Sequence, residues 1–147
     1  MKQPITDTLA AFNQLYKEMD EIYHLYAKKY GISDATLWLM YSLCENDTAF
    51  TQRELCSAWH YPRQTINSAL KGLEKQELIV LEPVPGNQKN KRIVLTEKGK
   101  NFVEQVIDPL ILAEQRAFQE LKEKEKDALL SLTQKYVNLL QVKVNSK

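Results

Sequence analysis

Apolar residues recur at Leu9, Phe12, Tyr16, Met19, Tyr23, Tyr26 and Tyr30, in alternating steps of three and four. That spacing predicts a helix with a heptad-like seam. Leu15, Ile22 and Leu25 widen the stripe beyond what one neighbouring helix needs. Gly31 ends the pattern, and Ser33-Asp34 supply an N-cap for a second helix. This one carries Leu37, Trp38, Met40, Tyr41 and Leu43, reads as almost wholly buried, and breaks at Glu45-Asn46-Asp47.

Thr51-Gln52-Arg53-Glu54 has the form of a capping box, in which hydroxyl and carboxylate each satisfy an orphaned backbone N–H. A short helix to about Trp59 follows, then a turn at His60-Tyr61-Pro62, with Pro62 suited to the first position of the next helix. In that helix, which extends to about Gln76, Ile66, Ala69, Leu70 and Leu73 form the apolar face, and polar side chains occupy the rest. Leu78 to Glu82 and Arg92 to Leu95 are strand-like and enclose turn chemistry at Val84-Pro85-Gly86-Asn87, which predicts a β-hairpin with a long polar tip. Thr96 can cap a long helix that Pro109 should kink, because proline deletes a backbone hydrogen bond. The mixed run Lys122 to Asp127 separates it from a last helix bearing Leu129, Leu132, Tyr136, Leu139 and Leu140. The pattern is mainly α with a small β-hairpin, in one domain spanning 1–147: a central module at 32–100 flanked by helices at 5–30 and 101–145.

Composition agrees: 4 Gly and 5 Pro in 147 residues disfavour a turn-dense all-β fold. No apolar run approaches the roughly 18–20 residues that span a bilayer, and the N-terminus lacks signal-peptide layout, so a cytoplasmic protein without membrane partners is expected. Cys44 and Cys56 lie in helix-like segments and read as buried thiols, the Asn46-Asp47-Thr48 sequon has no meaning without secretion, and His24 and His60 are too isolated to build a metal site. The formal charge of +1 argues against a nucleic-acid partner only as a bulk property. Residues 51–100 hold nine basic and five acidic groups, net +4, whereas the remainder is net −3.

Short helix, turn, polar-faced helix and basic hairpin is the order of a winged helix-turn-helix, in which the second helix enters the DNA major groove and the hairpin reaches flanking backbone or minor groove. Arg63, Gln64 and Asn67 can read base edges, Thr65 and Ser68 can contact bases or phosphates, and Lys71 lies on the same polar face. At the start of the preceding helix Thr51 and Gln52 are further candidates, and on the wing Asn87, Lys89, Lys91 and Arg92.

Three stretches, Thr51 to Leu55, Leu70 to Ile79 and Arg92 to Lys100, resemble the MarR (multiple antibiotic resistance regulator) family. The resemblance spans nearly the whole chain and implies a homodimeric transcription regulator, usually a repressor. It implies dimerisation through the N- and C-terminal helices, a pseudo-palindromic double-stranded DNA site, and in many members release by a small aromatic or lipophilic effector or by an oxidant. The family's wing tip commonly carries an Asp followed two positions later by an Arg, where Asn87 and Lys89 stand here, and Gln76-Glu77 stands where a Gly is frequent. Redox-sensing members typically use a Cys in the first helix, and none precedes Cys44.

The aromatic seam reads first as packing, yet Tyr16, Tyr23, Trp38, Met40 and Tyr41 have the chemistry to hold an aromatic ligand. The chain offers no Gly-rich phosphate loop, nucleophile elbow or zinc-protease motif, so neither enzyme activity nor a cofactor is expected. A second reading is a winged-helix module that binds protein and not specific DNA.

Overall fold

The computed structural model describes residues 3–45, 51–59 and 61–146, with backbone alone for Glu45, Gln52, Cys56, Ala58, Trp59, Asn87, Gln88 and Lys89. It comprises two compact units, Met1–Ile107 and Asp108–Lys147. The first runs α1 (Asp7–Lys29), α2 (Asp34–Glu45), α3 (Gln52–Trp59), α4 (Arg63–Lys75), β1 (Ile79–Val84), β2 (Asn87–Leu95), α5 (Glu97–Phe102) and a π-helical turn, Val103–Ile107. The second holds α6 (Asp108–Gln119) and α7 (Glu123–Asn145). It is the expected mainly helical chain with a two-stranded antiparallel wing.

Local chemistry sets the helix ends. Thr6 Oγ1 accepts the Leu9 N–H at 3.3 Å, so α1 starts ahead of its first apolar residue. Ser33 Oγ accepts the Thr36 N–H at 3.1 Å and opens α2. At α3, Thr51 Oγ1 accepts the Glu54 N–H at 3.2 Å while the Glu54 carboxylate accepts the Thr51 N–H at 3.4 Å, the capping box expected there. Pro62 departs from expectation. Its ψ of 143° is extended, so it is the N-cap residue and Arg63 the first helical one, with the Pro62 carbonyl accepting the Ile66 N–H at 3.2 Å.

The core of the first unit is built from Leu37, Leu39 and Met40 of α2, Leu55 of α3, Ile66, Leu70 and Leu73 of α4, and Ile79 and Ile93 of the hairpin. Each such side chain contributes roughly 1.5–3 kcal/mol through burial. The stripe of α1 divides along its length. Ala27 is buried and Tyr23 and Tyr26 half-buried, whereas Leu9, Phe12, Tyr16 and Met19 are exposed. Tyr26 donates its hydroxyl to the Val106 carbonyl at 2.5 Å, and burial, aided by neighbouring Tyr30, pushes its phenol up to about 12.

The hairpin is longer than the sequence pattern implied. Pro85 and Gly86 (φ +80°) close a tight turn of type II character, so the stretch expected as a polar tip continues β2. Pairing runs from Ile79 opposite Leu95 to Pro83 opposite Lys91, then slips at Pro83/Val84, where a proline cannot donate to the ladder. The π-helical turn stands directly before Asp108-Pro109, one of the recognised ways a helix absorbs the bond that proline removes.

The end of α4 is tied to the exit of the wing. The Leu78 N–H reaches the Leu73 carbonyl at 2.9 Å and the Glu77 N–H the Glu74 carbonyl at 3.0 Å, a Schellman arrangement that puts Glu77 at φ +63°. Thr96 Oγ1 donates to the Glu77 carbonyl at 2.6 Å and accepts the Gly99 N–H at 3.0 Å, while the Thr96 N–H donates to the Leu78 carbonyl at 3.1 Å. A Cβ on Gly99 would lie 2.0 Å from that same Leu78 oxygen. Gly99→Ala should therefore destabilise by roughly 3 kcal/mol through overpacking against backbone. Glu77→Gly should stabilise by roughly 0.5–1 kcal/mol, left-handed strain relieved exceeding the unfolded-state entropy gained. Thermal unfolding at fixed protein concentration checks both; an unchanged midpoint for Gly99→Ala would contradict the packing described.

Candidate nucleic-acid interface

In α4 the spacing that buries Ile66, Leu70 and Leu73 turns the opposite side outward. Arg63, Gln64, Ser68 and Lys71 are exposed there, and Thr65 and Asn67 are half-buried at its margins. The N-cap residue Pro62 offers no side-chain cap to α4 and no acidic residue lies in the first turn, so its N–H groups and positive dipole end suit an approaching anion.

The wing is fixed to the same module. A backbone bridge pairs Thr51, at the start of α3, with Arg92 of β2. Arg92 and Lys91 are exposed on β2 opposite Glu82 and Pro83 of β1. Thr51 is half-buried, and its hydroxyl also donates to the Glu54 carboxylate at 2.9 Å, so this candidate contact is committed to the helix cap. The side chains of Gln52, Asn87 and Lys89 lie outside the described residues, as do the Cys56 side chain, His60 and the Asn46-Asp47-Thr48 sequon. Arg53, Lys75 and Lys98 add exposed positive charge to the module.

Gln64, Thr65 and Ser68 also line a cleft of about 760 Å³, shared with Ile32 and Thr36 at the α1–α2 connection. Helix periodicity cannot reveal this, because the opposing wall comes from a segment some thirty residues earlier.

The aromatic candidates separate. Tyr23 and Trp38 pack as tilted rings with centroids 4.7 Å apart, and Trp38 and Tyr41, also tilted, lie at 5.4 Å. Met40 is closed into the core, and Tyr16 is exposed on α1. Tyr23 and Trp38 line a second cleft, of about 450 Å³, together with Tyr61, Asp20, His24 and Asp34, which sequence spacing did not single out. His24 Nδ1 stands 3.0 Å from Asp34 Oδ1, and burial with the Asp34 and Asp20 carboxylates raises the Tyr61 phenol above its ordinary value. Among the described residues no three His, Cys, Asp or Glu side chains converge on a metal position, and no helix is long and apolar enough to cross a membrane.

The sequence profile of the MarR family matches residues 30–89, from the end of α1 into β2. The fold agrees over nearly the full chain with the crystal structure of the transcriptional regulator SlyA, at 27% identity, TM-score 0.66 and coverage of 95% of this chain and 94% of that one. Over its central segment the chain resembles MarR-family transcriptional regulators. Two more distant MarR-fold relatives were solved with DNA. A MarR family transcriptional regulator from Listeria monocytogenes complexed with 26mer DNA has 24% identity, TM-score 0.71 and coverage of 97% and 98%. The S. aureus MepR–DNA complex has 21% identity, TM-score 0.73 and coverage of 93% and 99%. No curated protein sequence matches the chain. Against the MarR pattern, Glu77 holds the left-handed helix-end position often given to Gly.

Proposed function

We propose that this chain is a MarR-type regulator: a homodimeric, sequence-specific DNA-binding repressor acting in the cytoplasm. Two α4 helices enter successive major grooves of a pseudo-palindromic operator, about one helical turn apart, the wings follow the flanking backbone or minor groove, and the bound dimer blocks RNA polymerase. The observation that carries this reading is exposed polar and basic chemistry on both elements: Arg63, Gln64, Ser68 and Lys71 on α4, and Lys91 and Arg92 on a wing whose backbone is bridged to Thr51 at the start of α3. That two proteins of similar fold were solved with DNA supports a DNA partner.

Dimerisation is supported by what a single chain leaves uncovered. Leu9, Phe12, Leu15, Met19 and Ile22 of α1 are exposed, and α7 buries none of its residues although it carries Leu129, Leu132, Leu139, Leu140 and Val142. Apolar faces of this extent on a water-soluble chain mark an association surface. A small-molecule effector then relieves repression by favouring the dimer whose α4 spacing misfits the operator, and it can do so only by its differential affinity for the two states.

In a salt-titrated binding assay on the duplex upstream of the chain's own operon and on random duplex, affinity should fall steeply with salt on both. Arg63→Ala/Gln64→Ala should lose roughly 10–100-fold on the specific duplex. Salt-insensitive binding, or no loss in the variant, would favour a protein-binding winged module instead. In sedimentation velocity the wild type should run as a dimer, and Phe12→Glu/Leu139→Glu should shift it to monomer or unfold it; a monomeric wild type contradicts the assembly.

A further inference from the structure

The 450 Å³ cleft between α1, α2 and the turn into α4 is large enough for a small ligand, and its lining is chemically one-sided. Tyr23, Trp38 and Tyr61 supply three aromatic rings. Asp20, Glu21 and Asp34 supply three carboxylates, Asp34 with His24 Nδ1 3.0 Å away, against Lys17 as the one ammonium among the described lining residues. Rings and carboxylates are the two groups that hold an organic cation, the rings through their negative faces and the acids through charge. An anionic ligand would meet net negative charge. Burial first, and then the Asp34 and Asp20 carboxylates, raise the Tyr61 phenol, so those acids lie near enough to act at the wall that Tyr61 supplies. Asp34 and His24 are each about half exposed, so the acidic wall is open to solvent.

We infer that this cleft is a binding site for an organic cation with aromatic or quaternary-ammonium character, seated on Tyr23, Trp38 and Tyr61 and countered by Asp20, Glu21 and Asp34. Its position gives occupancy a consequence. Asp20 and Tyr23 belong to α1, Asp34 and Trp38 to α2, and Tyr61 immediately precedes Pro62 and the first residue of α4. A bound cation thus links α1 to the segment that leads into the polar-faced helix, and it favours whichever placement of that segment closes the cage. The binding claim stands on the cleft alone, and the regulatory role rests on the proposed DNA-binding function.

Calorimetric titration of the full-length protein without DNA tests the site. Three probes share a benzyl or phenyl ring and differ in charge: benzyltrimethylammonium, benzyl alcohol and benzoate. The cation should bind saturably and about tenfold or more tighter than the alcohol, with benzoate weakest. Asp20→Asn/Asp34→Asn should weaken cation binding about tenfold while leaving benzyl alcohol unchanged. If that variant does not reach the wild-type circular-dichroism spectrum, Tyr61→Leu replaces it, with a loss expected for the cation. Absence of saturable cation binding, benzoate binding as tightly as the cation, or full cation affinity in a folded variant overturns the inference. A chain that binds the cation and not DNA refutes the proposed function and leaves the site standing; the reverse result refutes the site alone.

Discussion

Two backbone carbonyls, those of Glu77 and Leu78, join the polar-faced helix to the wing. Thr96 takes both, one through its hydroxyl and one through its N–H, and the same hydroxyl accepts the Gly99 N–H to begin α5. Gly99 must lack a side chain because the Leu78 oxygen occupies the place of its Cβ. The hairpin register starts from this knot, with Ile79 opposite Leu95, and Ile79 and Ile93 then pack in the core that holds Ile66 and Leu70 of α4. Loosening the knot would change the angle between the two elements that present Lys71 on one side and Arg92 on the other. A surface that reads a rigid duplex cannot tolerate that slack.

Physical roles are divided along the chain in a way that net charge conceals. The central module concentrates exposed Lys and Arg, and its apolar residues are mostly buried. α1 over its first half and α7 throughout do the opposite, exposing leucines, valines and aromatic rings. Under the proposed function each kind of surface has its own partner: phosphates for the basic one and another copy of the chain for the apolar ones.

Much of this was readable from the sequence because it is local. The Thr51–Glu54 box, the Ser33 cap, the Thr96 cap and the i, i+3, i+4, i+7 face of α4 depend on residues within two turns of one another. Features decided by tertiary context were not. Glu77 adopts a left-handed conformation that its side chain disfavours, because the Schellman bonds and Thr96 hold it there. Pro62 sits one position earlier than its residue type suggested, and the Pro85-Gly86 turn extends β2 over residues whose polarity resembled a loop. For the candidate interface, charge and polarity identified the face, but the half-burial of Thr65 and Asn67 and the commitment of Thr51 to its cap needed coordinates. Tyr61 joins Tyr23 and Trp38 from a separate element, and no spacing rule connects them.

The claim at the centre of this account is that two copies of the α4-and-wing surface, held in a fixed relation, read one duplex together. Selection of bound sequences from a random duplex pool by the full-length protein measures this directly. The account predicts enrichment of an inverted repeat whose half-site centres lie about 10 base pairs, one helical turn, apart. Recovery of a single unrepeated site, or no enrichment beyond the input pool, would contradict it.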